Sequence, residues 1–159
     1  MLGLATGWNI SNTGAVAEPL ASAYGVGLAA VGLFTTALFA SHLVMQIPGG
    51  KASDRFGPRR MGLVGLSLIA VPNAVALAAS EPGLAIGMRA LMGLGTGITF
   101  VAGVDYVRAA GESPAAQGLY GGVAMGGGGL ALAVVPQVES WIGWRPLLPR
   151  RSSSRGPPP

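Results

Sequence analysis

The chain contains no cysteine, which excludes a disulfide scaffold and any thiolate metal site. Charge is nearly as scarce. Only 10% of the 159 residues are Asp, Glu, Lys or Arg, against about 25% in a soluble domain. A soluble chain of this length could bury a core, but it would still need a polar coat, and this one has too few charges to make it. What is plentiful is apolar surface, at 50% of residues, and glycine, at 27. Glycine is more frequent in membrane helices than in soluble ones. The net charge of +4 raises the question of a nucleic-acid partner. Its distribution excludes one, because the basic residues gather in one short stretch and in the C-terminal tail. The partner implied instead is the lipid bilayer.

A membrane helix needs about 20 mostly apolar residues to cross about 30 Å of hydrocarbon. Five segments meet that requirement: roughly 2–20, 26–49, 61–79, 83–107 and 114–138. Backbone groups in lipid must be satisfied within their own segment, so helices are expected, and alternating barrel strands would be about half as long. The fold class expected is therefore all-α and integral to the membrane, with about five transmembrane helices. The connections are short, as at Ser80-Glu81-Pro82, where Pro82 suits the first turn of the next helix. Orientation follows from basic residues near the span ends. Lys51, Arg55, Arg59 and Arg60 assign their connection to the cytoplasm, and Arg108 assigns the fourth connection there too. The N-terminus is then also cytoplasmic, in a multi-pass protein of the cell membrane. Arg59 and Arg60 begin a helix, where the dipole disfavours cations by about 0.3–1 kcal/mol each. Attraction to an anionic leaflet, about 1 kcal/mol per basic residue, matches or exceeds that cost.

The stretch Gly50-Lys51-Ala52-Ser53-Asp54-Arg55-Phe56-Gly57-Pro58-Arg59-Arg60 lies between two long segments free of formal charge. Its pattern, Gly-x-x-x-Asp-Arg-x-Gly-x-Arg-Arg, resembles the loop between the second and third helices of major facilitator superfamily transporters. The resemblance extends over about residues 2–145, nearly five helices of an N-terminal six-helix bundle. It implies that Gly50, Asp54, Arg55, Gly57, Arg59 and Arg60 form a charged cytoplasmic latch that gates the transporter. A purely topogenic loop is the alternative. Asp54 speaks against it, because an acid gives no positive-inside benefit. Pro58 stands where the family usually has a basic residue. Asp105 lies at the inner end of the fourth segment and either joins this latch or is a solvated acid at a helix end.

Arg89 sits about six residues, or about 9 Å, inside the fourth segment. There a charge costs about 2.5–3.5 kcal/mol on the lenient insertion scale. Arg89-x-x-x-Gly93-x-Gly95 resembles the family's fourth-helix motif, whose arginine points into the central cavity; snorkelling to the outer headgroups is the rival reading. Asn9 and Asn12 share one face of the first segment and are candidates either for substrate contact or for interhelical hydrogen bonding. His42, the only histidine, is read as a neutral packing residue in preference to a proton relay. The glycine run 121–122 and 126–129 permits close helix approach. It lacks the Gly-Pro step of the family's antiporter motif, since Pro136 lies well beyond it.

No nucleotide-binding loop, metal cluster or nucleophile–base pair is present in the sequence, so neither an enzyme nor a cofactor is expected. The expected function is secondary transport of a small polar or anionic solute by alternating access, with proton coupling left open. The expected partner is a C-terminal helical half, without which the bundle is expected to be inactive. A small non-transport membrane scaffold or assembly protein is the alternative. Residues 1–144 form the bundle. Residues 145–159, rich in Pro, Arg and Ser, would lie outside after five spans, against the positive-inside bias. This tail is expected to be disordered or foreign to the fold.

Overall fold

The computed structural model describes residues 1–77, 81–111 and 113–142. Its helices are α1 (Leu2–Ser11), α2 (Ala17–Tyr24), α3 (Leu28–Phe56), α4 (Pro58–Leu77), α5 (Pro82–Ala109) and α6 (Pro114–Ile142), and among the described residues there is no strand. The helices α3, α5 and α6 are each long and apolar enough to cross a membrane. Their outward faces carry Leu43, Val44, Ile47, Leu119, Met125 and Trp141, all exposed. Such surface would be a liability in water and matches a lipid surround. Residue 80, half of the Ser80–Glu81 turn signal, and the Gly143-Trp144-Arg145 step with the tail beyond it lie outside the described residues.

The first segment is not one continuous helix. A 3-10 turn at Gly14–Val16 separates α1 from α2. The break is at Val16, whose φ of -131° and ψ of 35° are not helical, and Pro19, in the first turn of α2, stands where its missing N–H costs least. The helix α2 ends at Gly25, whose φ of 65° is left-handed and whose N–H caps Ala21 and Ser22. Leu20 of α2 then packs with Val31 and Phe34 of α3 and Ala85 of α5.

The charged stretch at residues 50–60 is mostly not a loop. The helix α3 continues through Gly50, Asp54 and Arg55 to Phe56, and α4 begins at Pro58. Only Gly57 turns the chain. Lys51 to Phe56 are all residues a helix accepts, and Pro48 within α3 removes one donor without stopping it. At 29 residues α3 is about 43 Å long. Its last turns therefore extend past the hydrocarbon, which is where Asp54 and Arg55 belong energetically. Gly57 has φ 85° and ψ 145°, a region essentially closed to other residues. Gly57→Ala is expected to cost about 1–3 kcal/mol, read as a lowered unfolding midpoint in detergent. Gly32→Ala, with open space around its added methyl, should leave the midpoint unchanged or raise it. Equal midpoints for Gly57→Ala and the wild type would remove the backbone requirement.

Glycine sets how the helices meet. Along α3 and α5, Gly93 lies against Leu38 and Gly97 against His42, so residue numbers rise together and the two helices run parallel. The α4–α5 contact is antiparallel, with Gly65 against Gly95 and Thr99. The pair α1 and α6 is parallel again: Gly7 meets Ala124, and Gly128 meets Ser11. Short connections between antiparallel neighbours produce this order. The result places the polar residues of α1 beside the C-terminal half of α4 and the N-terminal half of α5.

Candidate functional site

Arg89 is the centre of the arrangement. It lies two turns into α5, and its guanidinium reaches across to α1. Nη1 donates to the Asn9 carbonyl oxygen at 3.1 Å, and Nη2 donates to Asn12 Oδ1 at 2.7 Å. Nη1 also approaches Met92 Sδ at 3.8 Å. The sequence candidates Arg89, Asn9 and Asn12 are therefore brought together, and Arg89 turns inward. Asn9 is buried, and its own amide is held at both ends. Its Nδ2 donates to the Ala5 carbonyl at 2.9 Å, and its Oδ1 accepts from Asn73 Nδ2 at 2.7 Å.

Asn73, on α4, was not among the sequence candidates. Its Nδ2 donates a second hydrogen bond to the Ile69 carbonyl at 2.9 Å. The available signal was a lone amide directly after Pro72 in an otherwise apolar helix. A polar side chain in such a place is expected to find a partner on another helix. Through it, one polar network ties α1, α4 and α5.

These residues border a cavity of about 180 Å³. Asn12, Thr13, Asn73 and Arg89 supply its polar lining, and Leu20, Tyr24, Phe34 and Met92 much of the rest. Among the described lining residues there is no Asp or Glu. Arg89 has five N–H groups, and its three contacts leave two without a protein acceptor among the described residues. A positive charge half out of water, with spare donors and no carboxylate among the described lining residues, has the chemistry to accept negative oxygens.

His42 lies one layer further in, buried between α3 and α5. Thr96 Oγ1 spends its hydrogen on the Gly93 carbonyl at 3.0 Å, so it accepts from His42 Nδ1 at 3.0 Å. His42 Nε2 then accepts from Gln46 Nε2 at 3.0 Å. Every member of this chain is satisfied with a neutral imidazole, and the phenyl ring of Phe100 packs beside it. The geometry fits a packing role.

The rim residues are placed but not joined. Asp54 and Arg55 are exposed on the last turn of α3, and the Arg55 guanidinium sits 5.3 Å from the centre of the Phe56 ring. Arg60 is exposed at the start of α4, and Gly50 lies within α3 beside Val101. Arg59 borders a second cavity, of about 410 Å³, with Leu2, Tyr106 and Tyr120. Among the described residues, the ion pair at this rim is Asp105 with Arg108, 3.5 Å apart one turn along α5. The Arg108 side chain is 65% exposed and that of Asp105 only 14%, so water still screens the pair from one side. Asp105 Oδ2 and Ser53 Oγ are buried there without a hydrogen-bond partner among the described residues.

Comparison with known proteins finds relatives among membrane transporters. A stretch of 73 residues, 46% of the chain, is 32% identical to an uncharacterised MFS-type transporter of Mycobacterium tuberculosis and covers 13% of that protein. A stretch of 87 residues, 53% of the chain, is 37% identical to a chloroplastic protein of Oryza sativa subsp. japonica named as a probable anion transporter and covers 15% of it. The matched stretches thus span well under a quarter of these relatives. No solved structure matches the chain. The sequence model of the Major Facilitator Superfamily, by contrast, matches residues 1–148, almost the whole chain, and the protein belongs to that family of membrane transporters.

Proposed function

We propose that this bundle forms one wall of a transport path for a small anionic solute, with Arg89 as the residue that holds the charge. The observation that carries the reading is the Arg89 guanidinium at a cavity with no carboxylate among its described lining residues. A cation buried at a cost of a few kcal/mol needs a return, and a bound anion supplies it. The Oryza relative, named as an anion transporter, supports the same direction. In this reading a second helical bundle forms the opposite wall, and the solute passes as the two rock about it. Asp54, Arg55, Arg59, Arg60 and Asp105 line the cytoplasmic rim, where they latch against that second bundle, and the N-terminus is on the cytoplasmic face of the cell membrane.

The test is a binding titration on the whole chain in lipid nanodiscs, with small inorganic and carboxylate anions and with neutral sugars of similar size. Anions should raise the unfolding temperature in a saturable manner, and sugars should leave it unchanged. Reconstituted alone into vesicles, the chain should bind anions yet accumulate none. Saturable binding of sugars with no response to anions would overturn the assignment of charge, and uptake by the chain alone would overturn the need for a second wall.

A further inference from the structure

The polar atoms left over around the cavity are not all donors, and this asymmetry limits which anion can sit there. Asn73 spends its amide hydrogens on Asn9 Oδ1 and the Ile69 carbonyl. Its orientation is over-determined. Turned over, Asn73 would set its own oxygen against the Ile69 carbonyl and against Asn9 Oδ1. Asn9 cannot turn to compensate, because its Nδ2 is committed to the Ala5 carbonyl. Asn73 Oδ1 is therefore the atom that Asn73, a cavity-lining residue, has left to offer, and it is an acceptor without a protein partner among the described residues. Asn12 is the reverse. Its Oδ1 takes Arg89 Nη2 at 2.7 Å and Thr13 Oγ1 at 3.4 Å, which leaves its Nδ2 hydrogens as donors. Around one small cavity there are thus spare donors on Arg89 and Asn12, from α5 and α1, and a spare acceptor on Asn73, from α4.

Resting on the anion reading above, we propose that the cavity selects an anion that still carries a hydrogen-bond donor. Its negative oxygens would face Arg89 and Asn12, and its O–H would donate to Asn73 Oδ1. A fully deprotonated anion would set an oxygen lone pair against that carbonyl oxygen. A cavity of about 180 Å³ accepts an oxyanion or a short hydroxy acid. Sites built to pair a substrate hydroxyl reject the analogue lacking it far more strongly than apolar pockets reject a missing methylene, because a buried partner is left unpaired.

The experiment uses two probe pairs that differ in one donor: phosphate against sulfate near pH 7, and glycolate against acetate. Each is titrated against the whole chain in nanodiscs by calorimetry. In whichever pair binds, the donor-bearing member should bind at least about tenfold tighter. Asn73→Val should bring the two members within about twofold of each other. Arg89→Gln should abolish binding of both. A thermal unfolding curve on each variant shows that it is folded, and if Asn73→Val is not, the wild-type ratio alone decides. Equal affinity within both pairs, lost in Arg89→Gln, would overturn the selectivity and leave the anion reading standing. No binding of any of the four probes would overturn both.

Discussion

Gly7→Leu is expected to leave the protein unfolded, and Gly7→Ala to destabilise it by about 1–3 kcal/mol. The reason is the seam between α1 and α6. A methyl group on Gly7 would be driven into the backbone of α6 at the Ala124 carbonyl, with the Gly128 nitrogen 2.9 Å away. Backbone on the far side leaves no flexible side chain to move. The seam is reciprocal, since a methyl on Gly127 would stand 2.5 Å from the Leu4 carbonyl and one on Gly128 would stand 2.7 Å from Ser11 Oγ. In lipid no hydrophobic drive pushes helices together, so this close approach is the attraction itself. The control lies on the same helix. Gly126 faces open space, so Gly126→Ala should be neutral or stabilise by up to about 1 kcal/mol through helix propensity. Unfolding midpoints in mixed micelles across the three variants check the claim, and a Gly7→Leu protein as stable as Gly126→Ala would refute the seam. The consequence reaches the site. Asn9 lies two residues beyond Gly7 on α1 and Asn12 caps the C-terminal end of that helix, so a displaced α1 also withdraws the partners of Arg89.

Arg89→Met should reduce anion binding about a hundredfold or more while leaving the fold at least as stable as before. The two effects have different origins. Losing a charge-assisted contact to a bound anion costs about 2–5 kcal/mol of affinity. Removing a charge from a half-buried place relieves a desolvation penalty of similar size, so exchange for an apolar side chain of similar volume is often neutral or stabilising. Arg89→Lys keeps the charge but replaces a forked donor with a single nitrogen. That nitrogen is not expected to reproduce both the Asn9 carbonyl contact and the Asn12 Oδ1 contact. Its affinity should fall between those of the wild type and Arg89→Met. Titration of phosphate and glycolate against the three proteins, beside their unfolding curves, provides the comparison. An Arg89→Met protein that binds anions like the wild type would remove Arg89 from the site.

The residues that announce themselves in the sequence are those whose chemistry clashes with their surroundings. Arg89, Asn9 and Asn12 are polar within apolar segments, and the structure brings all three together. Asn73 obeys the same rule, but beside Pro72 it reads as part of a break, and only the fold shows that α4 passes Asn9 at that height. The existence of the apolar segments was legible because hydropathy and length are local properties, but their limits were only partly so, since α3 runs on to Phe56 and not to residue 49. Two other features were not. The interruption at Gly14–Val16 rests on the non-helical backbone of Val16, and the nearby Pro19 did not announce it, since Pro48 and Pro136 sit inside unbroken helices. The stretch Gly50–Arg60 has the composition of a loop, yet charged residues are good helix formers once they clear the hydrocarbon, and only Gly57 has a backbone that ends the helix. Whether two charged residues pair is set by a few ångströms of side-chain placement, which no spacing rule contains. Asp105 meets Arg108 on its own helix, while Asp54 and Arg55 face outward at the end of α3.

The length of α3 gives those outward charges a mechanical property. The helix is fixed to α5 by contacts in which backbone meets backbone at Gly93 and Gly97, so the two tilt as one piece. Phe34, near the N-terminal end of α3, borders the same cavity as Arg89. A rotation of about 5° about that end, over a rod of about 43 Å, sweeps the opposite tip through about 4 Å. That is the difference between a charge in contact with its counterpart and one separated by a layer of water. An ångström-scale adjustment around a bound solute would therefore arrive at Asp54 and Arg55 amplified, with no moving part except the helix pair.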